Sequence, residues 1–175
     1  MEKGLVHIYC GDGKGKTTCA VGLAVRCAGA GGKVLWFQFL KENISGERAG
    51  LAQLGNIDLL PGYENIKFTF MMTEEEKEEA KVFYKNKMQE ISQLIKKQEY
   101  DLLILDEVFG AISTDMIKEE DVYQFLLQRP VGLEVVLTGR DPSERMLEYA
   151  DYVSNMQKVK HPFDLGVSAR RMIEY

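Results

Sequence analysis

The feature that most constrains this chain is the run Gly11-Asp12-Gly13-Lys14-Gly15-Lys16-Thr17-Thr18, set between a β-prone stretch, Gly4 to Cys10, and a segment of small residues. A strand that stops at alternating glycines and restarts as a helix leaves successive backbone N–H groups pointing out of the turn, beside the positive end of the helix. That arrangement holds anions. The N–H groups of Gly13 to Thr17 are expected to face phosphate oxygens, Lys16 to neutralise them as a point charge, and the Thr17 hydroxyl to ligate Mg²⁺. A purely structural glycine turn would not need Gly-Lys-Thr-Thr at the opening of a helix. The usual spacing G-x-x-x-x-G-K-[ST] asks for glycine at position 10, whereas here Cys10 occupies it and Gly11 follows.

Strand and helix then alternate. Ala20, Gly22, Ala24 and Ala28 would let the helix after the loop sit close on a sheet, with Gly29 and Gly31-Gly32 as its stop. Val34 to Phe39 reads as a buried strand, Gly46 to Leu54 as a short helix, and Ile57 to Leu60 and Ile66 to Phe70 as short strands around a Pro61-Gly62 turn. Thr73 and Glu76 form a capping box before the longest helix, in which Ala80, Phe83, Met88, Ile91, Leu94 and Ile95 recur at helical spacing. Glu74-Glu75-Glu76 suits a solvated helix N-terminus better than a metal site. Leu102 to Leu105 is a strand ending in Asp106-Glu107, Glu119 to Gln128 a helix stopped before Pro130, and Leu133 to Thr138 another strand. A last helix is predicted after Asp141-Pro142, with Asp141 as its cap. The expected fold class is α/β: a P-loop (RecA-like) three-layer sandwich, a mostly parallel sheet with helices on both faces. With no linker or repeat to divide it, the chain is expected to form a single domain over residues 1–175.

Composition narrows the partners. A net charge of −5 and a pI near 5.2 speak against a nucleic-acid binder, which would carry a basic face. Cys10, Cys19 and Cys27 show no C-x-x-C pair, and with only His7 and His161 no zinc site assembles. Unpaired cysteines and a start that runs straight into a strand imply a cytoplasmic protein without a secretory signal. The apolar stretch Ala20 to Ala30 is interrupted by Arg26 and too short to span a bilayer.

Asp106 and Glu107 close their strand at the sheet edge that also carries the loop, where a carboxylate can hold Mg²⁺ directly or through water. Spacing does not decide which acid touches the ion. Thr138-Gly139-Arg140 ends a neighbouring strand at the same edge, so Arg140 is a candidate anion or nucleotide contact, with surface pairing to Asp141 or Glu144 as its alternative.

The loop Gly11 to Thr18 resembles the G-[ND]-G-K-G-K-T-T loop of the P-loop ATP:corrinoid adenosyltransferases, variant spacing included. Gln38-Phe39-Leu40-Lys41 is similar to that family's Q-F-[IL]-K segment. Leu103 to Glu107, Arg129-Pro130, Val136 to Arg140, Val159 to Val167, Ala169-Arg170 and Ile173-Glu174-Tyr175 follow in the family's order, so the resemblance covers essentially the whole chain.

The resemblance implies an enzyme that transfers the 5′-deoxyadenosyl group of ATP to the Co(I) of a corrinoid, with triphosphate leaving, in the synthesis of adenosylcobalamin or a precursor. It implies Mg²⁺, an electron donor for cobalt reduction and a homodimer. Lys16, Thr17 and Glu107 would carry the catalytic work. The loop Gly11, Asp12, Gly13, Lys14, Gly15, Lys16, Thr17, Thr18 and Arg140 would hold the nucleotide, with Thr17, Asp106 and Glu107 at the metal. Phe68 and Phe70 match the F-x-[WF] aromatics that the family places beneath the corrin, although two strand phenylalanines by themselves would read as core. Glu42 and Met172 stand where the family commonly has glycine, which bears on loop shape near a ligand. His161 is expected to be structural and not a cobalt ligand. Two rivals remain at this level: a P-loop ATPase or kinase transferring phosphoryl groups, with Glu107 positioning water, and a non-catalytic module that binds corrinoid or nucleotide.

Overall fold

The structure, a computed structural model, describes residues 3–64, 67, 69–97 and 99–174, and of Phe70 the backbone alone. Its centre is a sheet of six strands: β1 (Val6–Cys10), β2 (Val34–Gln38), β3 (Ile57–Leu59), β4 (Leu102–Asp106), β5 (Glu134–Thr138) and β6 (Tyr152–Asn155). Their spatial order is β3-β2-β4-β5-β1-β6 and every pairing is parallel, as expected of strands whose connections pass through helices. The helices are α1 (Lys16–Gly29), α2 (Gly46–Leu51), α3 (Glu74–Lys97), α4 (Val108–Ser113), α5 (Glu119–Gln128) and α6 (Glu144–Tyr149).

The pleat sorts each strand between two cores. Leu35, Phe37, Leu103, Leu105, Val135 and Leu137 pack in one cluster with Ala80, Tyr84 and Ile91 of α3 and Val122 and Leu126 of α5. The alternate residues Val34, Trp36, Leu102, Ile104 and Val136 pack in the other, against Ala20, Ala24 and Ala28 of α1. Burial on both faces is why β2 and β4 read as unbroken apolar runs. The three alanines face the sheet as expected, but Gly22 lies exposed on the solvent side, where a Cβ would meet nothing within 4 Å.

The capping box of α3 forms in both directions: Glu76 N–H donates to Thr73 Oγ1 at 3.2 Å and Thr73 N–H to Glu76 Oε2 at 3.0 Å. Several local expectations change. The last helix is capped by Ser143, whose hydroxyl accepts from Met146 N–H, and not by Asp141, which sits at φ 51° in the connection before it. The hydroxyl two residues nearer the helix simply reaches the orphan N–H that Asp141 cannot. Thr69–Met71 is a 3-10 turn, not strand, while Ile66 and Phe68 of that expected strand lie outside the described residues. The helix foreseen over 46–54 stops at Leu51. Sequence reading missed α4, β6 and a 3-10 turn at Pro162–Leu165.

Candidate active site

The carboxyl ends of the parallel strands are where an open α/β sheet gathers its polar side chains. At the end of β1, Gly11 adopts φ 101° and Gly15 φ 123°, conformations that a side chain resists. A Cβ on Gly11 would also come within 2.3 Å of the Asn155 amide oxygen, because the loop lies against the end of β6. Gly13 N–H donates to Met156 O at 2.6 Å and Lys158 N–H to Asp12 Oδ1 at 3.0 Å, so both residues are engaged with the segment after β6. The Gly13 amide, expected to face phosphate, is therefore already partnered. Lys16 Nζ folds over the loop and donates to Gly11 O at 2.7 Å and Gly13 O at 2.9 Å. Burial, opposed by Glu107, lowers the Lys16 pKa below the ordinary lysine value.

Because β5 lies between β4 and β1, Thr138 stands between Asp106 and the loop. Its hydroxyl donates to Asp106 Oδ1 at 2.7 Å and accepts from Glu107 N–H at 2.8 Å. Asp106 is fully buried and also receives Thr17 Oγ1 at 3.0 Å, Gln38 Nε2 at 3.2 Å and the Lys41 ammonium at 2.8 Å. Lys41 Nζ donates to Thr17 Oγ1 as well, at 2.9 Å. Gln38 is itself held by Glu47 Oε1 at 2.7 Å. Glu107 begins α4 in the left-handed region at φ 60°, its carboxyl lying against Gly110, where a Cβ would be 2.7 Å from Oε1. Burial and then the neighbouring Asp106 raise the Glu107 pKa, against the pull of Lys41, Lys16 and Arg140.

A cavity of about 600 Å³ opens over this floor, lined by Asp12 to Thr18, Val21, Lys41, Glu47 and Arg140, and by His161 and Met172 to Glu174 from the C-terminal segment. Arg140 is exposed on its wall; the described residues include no salt bridge from it to Asp141 or Glu144. His161 Nδ1 accepts from Phe163 N–H and so caps the last 3-10 turn.

The loop, Asp106, Glu107 and Arg140 thus converge, as sequence reading expected. Phe68 lies outside the described residues, as does the side chain of Phe70. Four functional candidates were missed: Thr138, Gln38, Lys41 and Glu47. Polar residues closing apolar strands are the available signal for the first two, and the Gln38 to Lys41 run held the third. Among the described residues no three His, Cys, Asp or Glu side chains gather in a metal cage, and no helix is long and apolar enough to cross a membrane.

Fold and loop together define a P-loop α/β protein. The family model of the ATP:corrinoid adenosyltransferases, BtuR/CobO/CobP, matches residues 2–175, and the chain belongs to that family. It is 32% identical to the corrinoid adenosyltransferase of Escherichia coli strain K12, over 99% of this chain and 87% of that protein. The corrinoid adenosyltransferase CobA of Salmonella typhimurium is 30% identical with the same coverage. That of Pseudomonas aeruginosa is 31% identical over 99% of this chain and 85% of its own length.

Proposed function

We propose that this chain transfers the 5′-deoxyadenosyl group of ATP to the Co(I) of a corrinoid, forming adenosylcobalamin or a precursor. The cobalt–carbon bond forms as the C5′–oxygen bond breaks, and triphosphate departs with the bonding electron pair. Co(I) is the nucleophile, so the protein needs no general base. Its work is to hold the ribose carbon in line and to stabilise charge on the leaving group. Lys16 and the amides at the start of α1 would bind the triphosphate, with Arg140, which lines the same cavity, as a further cation. The observation carrying this reading is the cation-lined cavity on a glycine loop in a chain of this family.

Mg²⁺ fits the floor. Thr17 Oγ1 and the Asp106 carboxylate are adjacent hard oxygens that already hold a cation, the Lys41 ammonium. Mg²⁺ keeps several waters and uses one or two protein ligands with substrate phosphates, so no all-protein cage is required. Bound there, it would neutralise charge developing on the triphosphate. Thr17 and Asp106 would hold it, and Glu107, half-buried next to Asp106, would adjust the local field. Phe68 and Phe70 are proposed beneath the corrin on the resemblance alone, keeping a lower ligand off the cobalt. We read residues 1–175 as a single domain, working in the cytoplasm as a homodimer with a separate electron donor.

The test is anaerobic: purified protein with reduced cob(I)alamin, Mg²⁺ and ATP, following the corrinoid spectrum and the phosphate product. Adenosylcobalamin with stoichiometric triphosphate is expected. ADP and phosphate formed equally fast without corrinoid would move the chain to the ATPase class, and tight corrinoid binding with neither product would make it a carrier.

A further inference from the structure

Lys41 is placed with unusual care for a lysine. Phe39 N–H donates to Asp106 O at 2.9 Å, extending the β2–β4 ladder one residue past the end of β2. The next residue, Leu40, turns into the left-handed region at φ 52°, a conformation that costs a branched residue about 1–2 kcal/mol. What holds it there is the Tyr84 hydroxyl, which accepts from Leu40 N–H at 3.2 Å. Tyr84 is fully buried among the rings of Phe37, Phe39 and Phe83. Beyond Lys41 the chain is tied again, Gly62 N–H donating to Asn43 Oδ1 at 2.7 Å. The strained turn aims the ammonium at Asp106 Oδ2 and Thr17 Oγ1, at 2.8 and 2.9 Å.

We propose that the Lys41 ammonium competes with a divalent cation for the Thr17 and Asp106 oxygens, so that metal and polyphosphate enter as a unit, the polyphosphate giving the displaced ammonium its new anionic partner. Two cations on one carboxylate repel each other, and in a partly buried site that repulsion is several times stronger than in water. A metal arriving alone leaves Lys41 with only the longer ion pair to Glu47, at 3.6 Å, whose carboxylate also accepts from Gln38. A metal arriving with phosphates brings the replacement charge. Lys41 borders the same cavity as the loop, and its four-carbon stem lets the ammonium swing while the backbone stays fixed. By linkage, metal and nucleotide then bind with positive coupling, typically about 5–150-fold.

This rests on the proposed nucleotide site, and the test separates the two. Mn²⁺ binding is followed by equilibrium dialysis, with the protein alone and with saturating ATP on both sides of the membrane, so that only metal retained with the protein above that in the dialysate is counted. The wild type should bind Mn²⁺ at least about tenfold more tightly with ATP than without, within the usual range of such coupling. Lys41→Met should bind Mn²⁺ alone at least about tenfold more tightly than the wild type, and its ATP-dependent gain should shrink by the same factor, as reciprocity requires. Lys41→Gln, which keeps a hydrogen-bond donor near Asp106, should behave like Lys41→Met and serves if that variant folds poorly. Lys41→Arg should retain the wild-type weakness. Equal Mn²⁺ affinity in wild type and Lys41→Gln, with ATP still promoting metal binding in both, overturns the competition while leaving the nucleotide site standing. No Mn²⁺ binding with ATP in any of them removes both.

Discussion

The floor and the rim of the cavity are built on opposite terms. The floor is Asp106, Thr138, Thr17 and Gln38, side chains from three parallel strands and the first turn of α1, joined by hydrogen bonds around a carboxylate that no water reaches. The rim, residues 156 to 174, is mostly exposed, carries Val159, Phe163, Leu165 and Met172 into solvent, and rests on the loop through single contacts such as Lys14 Nζ to Ile173 O at 3.2 Å. A buried polar group is costly unless fully partnered, so the floor has few workable arrangements; an exposed segment has many. Chemistry that must not vary belongs on the first, and adjustment to a particular substrate on the second.

The largest effect should come from the loop lysine that lies over the floor and faces the leaving group. Lys16→Ala is expected to lower kcat by about 10²–10³-fold, the usual loss when one preorganised donor to a developing anion is removed. The circular dichroism spectrum should stay unchanged, because among the described residues the ammonium bonds only to carbonyls of its own loop. Near-normal turnover would take the loop out of the mechanism. Thr138→Val removes the hydroxyl that serves Asp106 and the Glu107 amide at once, in a residue of almost the same shape. Leaving such groups unsatisfied costs about 1–3 kcal/mol, which urea unfolding should read directly. A loss no larger than that of a rim substitution such as Leu165→Ala would erase the distinction between floor and rim.

The same contrast decided what the sequence disclosed. Strands β1, β2, β4 and β5 are buried on both faces, and their apolar runs ending in glycine, glutamine, acid or threonine were readable without coordinates. β6, exposed at all four positions, has neither an apolar run nor a clean alternation, so nothing in Tyr152 to Asn155 marks it as strand. Short α4 follows a left-handed Glu107, and a residue type seldom found in that conformation hides the start of the helix. The loop, Asp106, Glu107 and Arg140 were found because a motif and strand ends mark them. Lys41 escaped because a strained turn at Leu40, held by a tyrosine 44 residues later in the chain, directs it inward, and no local pattern encodes that contact.

A smaller effect, with a definite sign, comes from Glu107. Its folded pKa is raised above the ordinary 4.5, so the folded state holds its proton more tightly than the unfolded chain does. Stability from this group is therefore full below the ordinary value and is lost as pH rises through the raised one. In metal-free buffer, Glu107→Gln should unfold at a higher temperature than the wild type at pH 7, and the gain should fade as pH drops below about 4.5, where both side chains are neutral. A gain confined to acid pH would mean that the carboxylate is held by favourable partners and not merely desolvated. The floor would then tolerate charge better than its burial implies.

The rim supplies the smallest effect, and the one that best separates affinity from stability. Met172 sits at φ 73°, is 88% exposed and lines the cavity. A left-handed methionine costs about 1 kcal/mol that glycine would not, while glycine forfeits about 0.5–1 kcal/mol through the greater freedom of its unfolded chain. Met172→Gly should accordingly leave the unfolding midpoint almost unmoved. The strain persists because neighbours over-determine the turn: Arg170 grips both carboxylate oxygens of Glu174, and Lys14 holds the carbonyl of Ile173. Glycine at 172 keeps these ties but widens what the segment between them can adopt, so the cost should fall on ordering the rim around a ligand. Titration with Mg²⁺ and ATP should show a severalfold weaker nucleotide affinity with kcat little changed, in keeping with loss of ordering at a bound surface. A lower kcat at unchanged affinity would place Met172 against the reacting groups, and the rim would then share the chemistry assigned above to the floor.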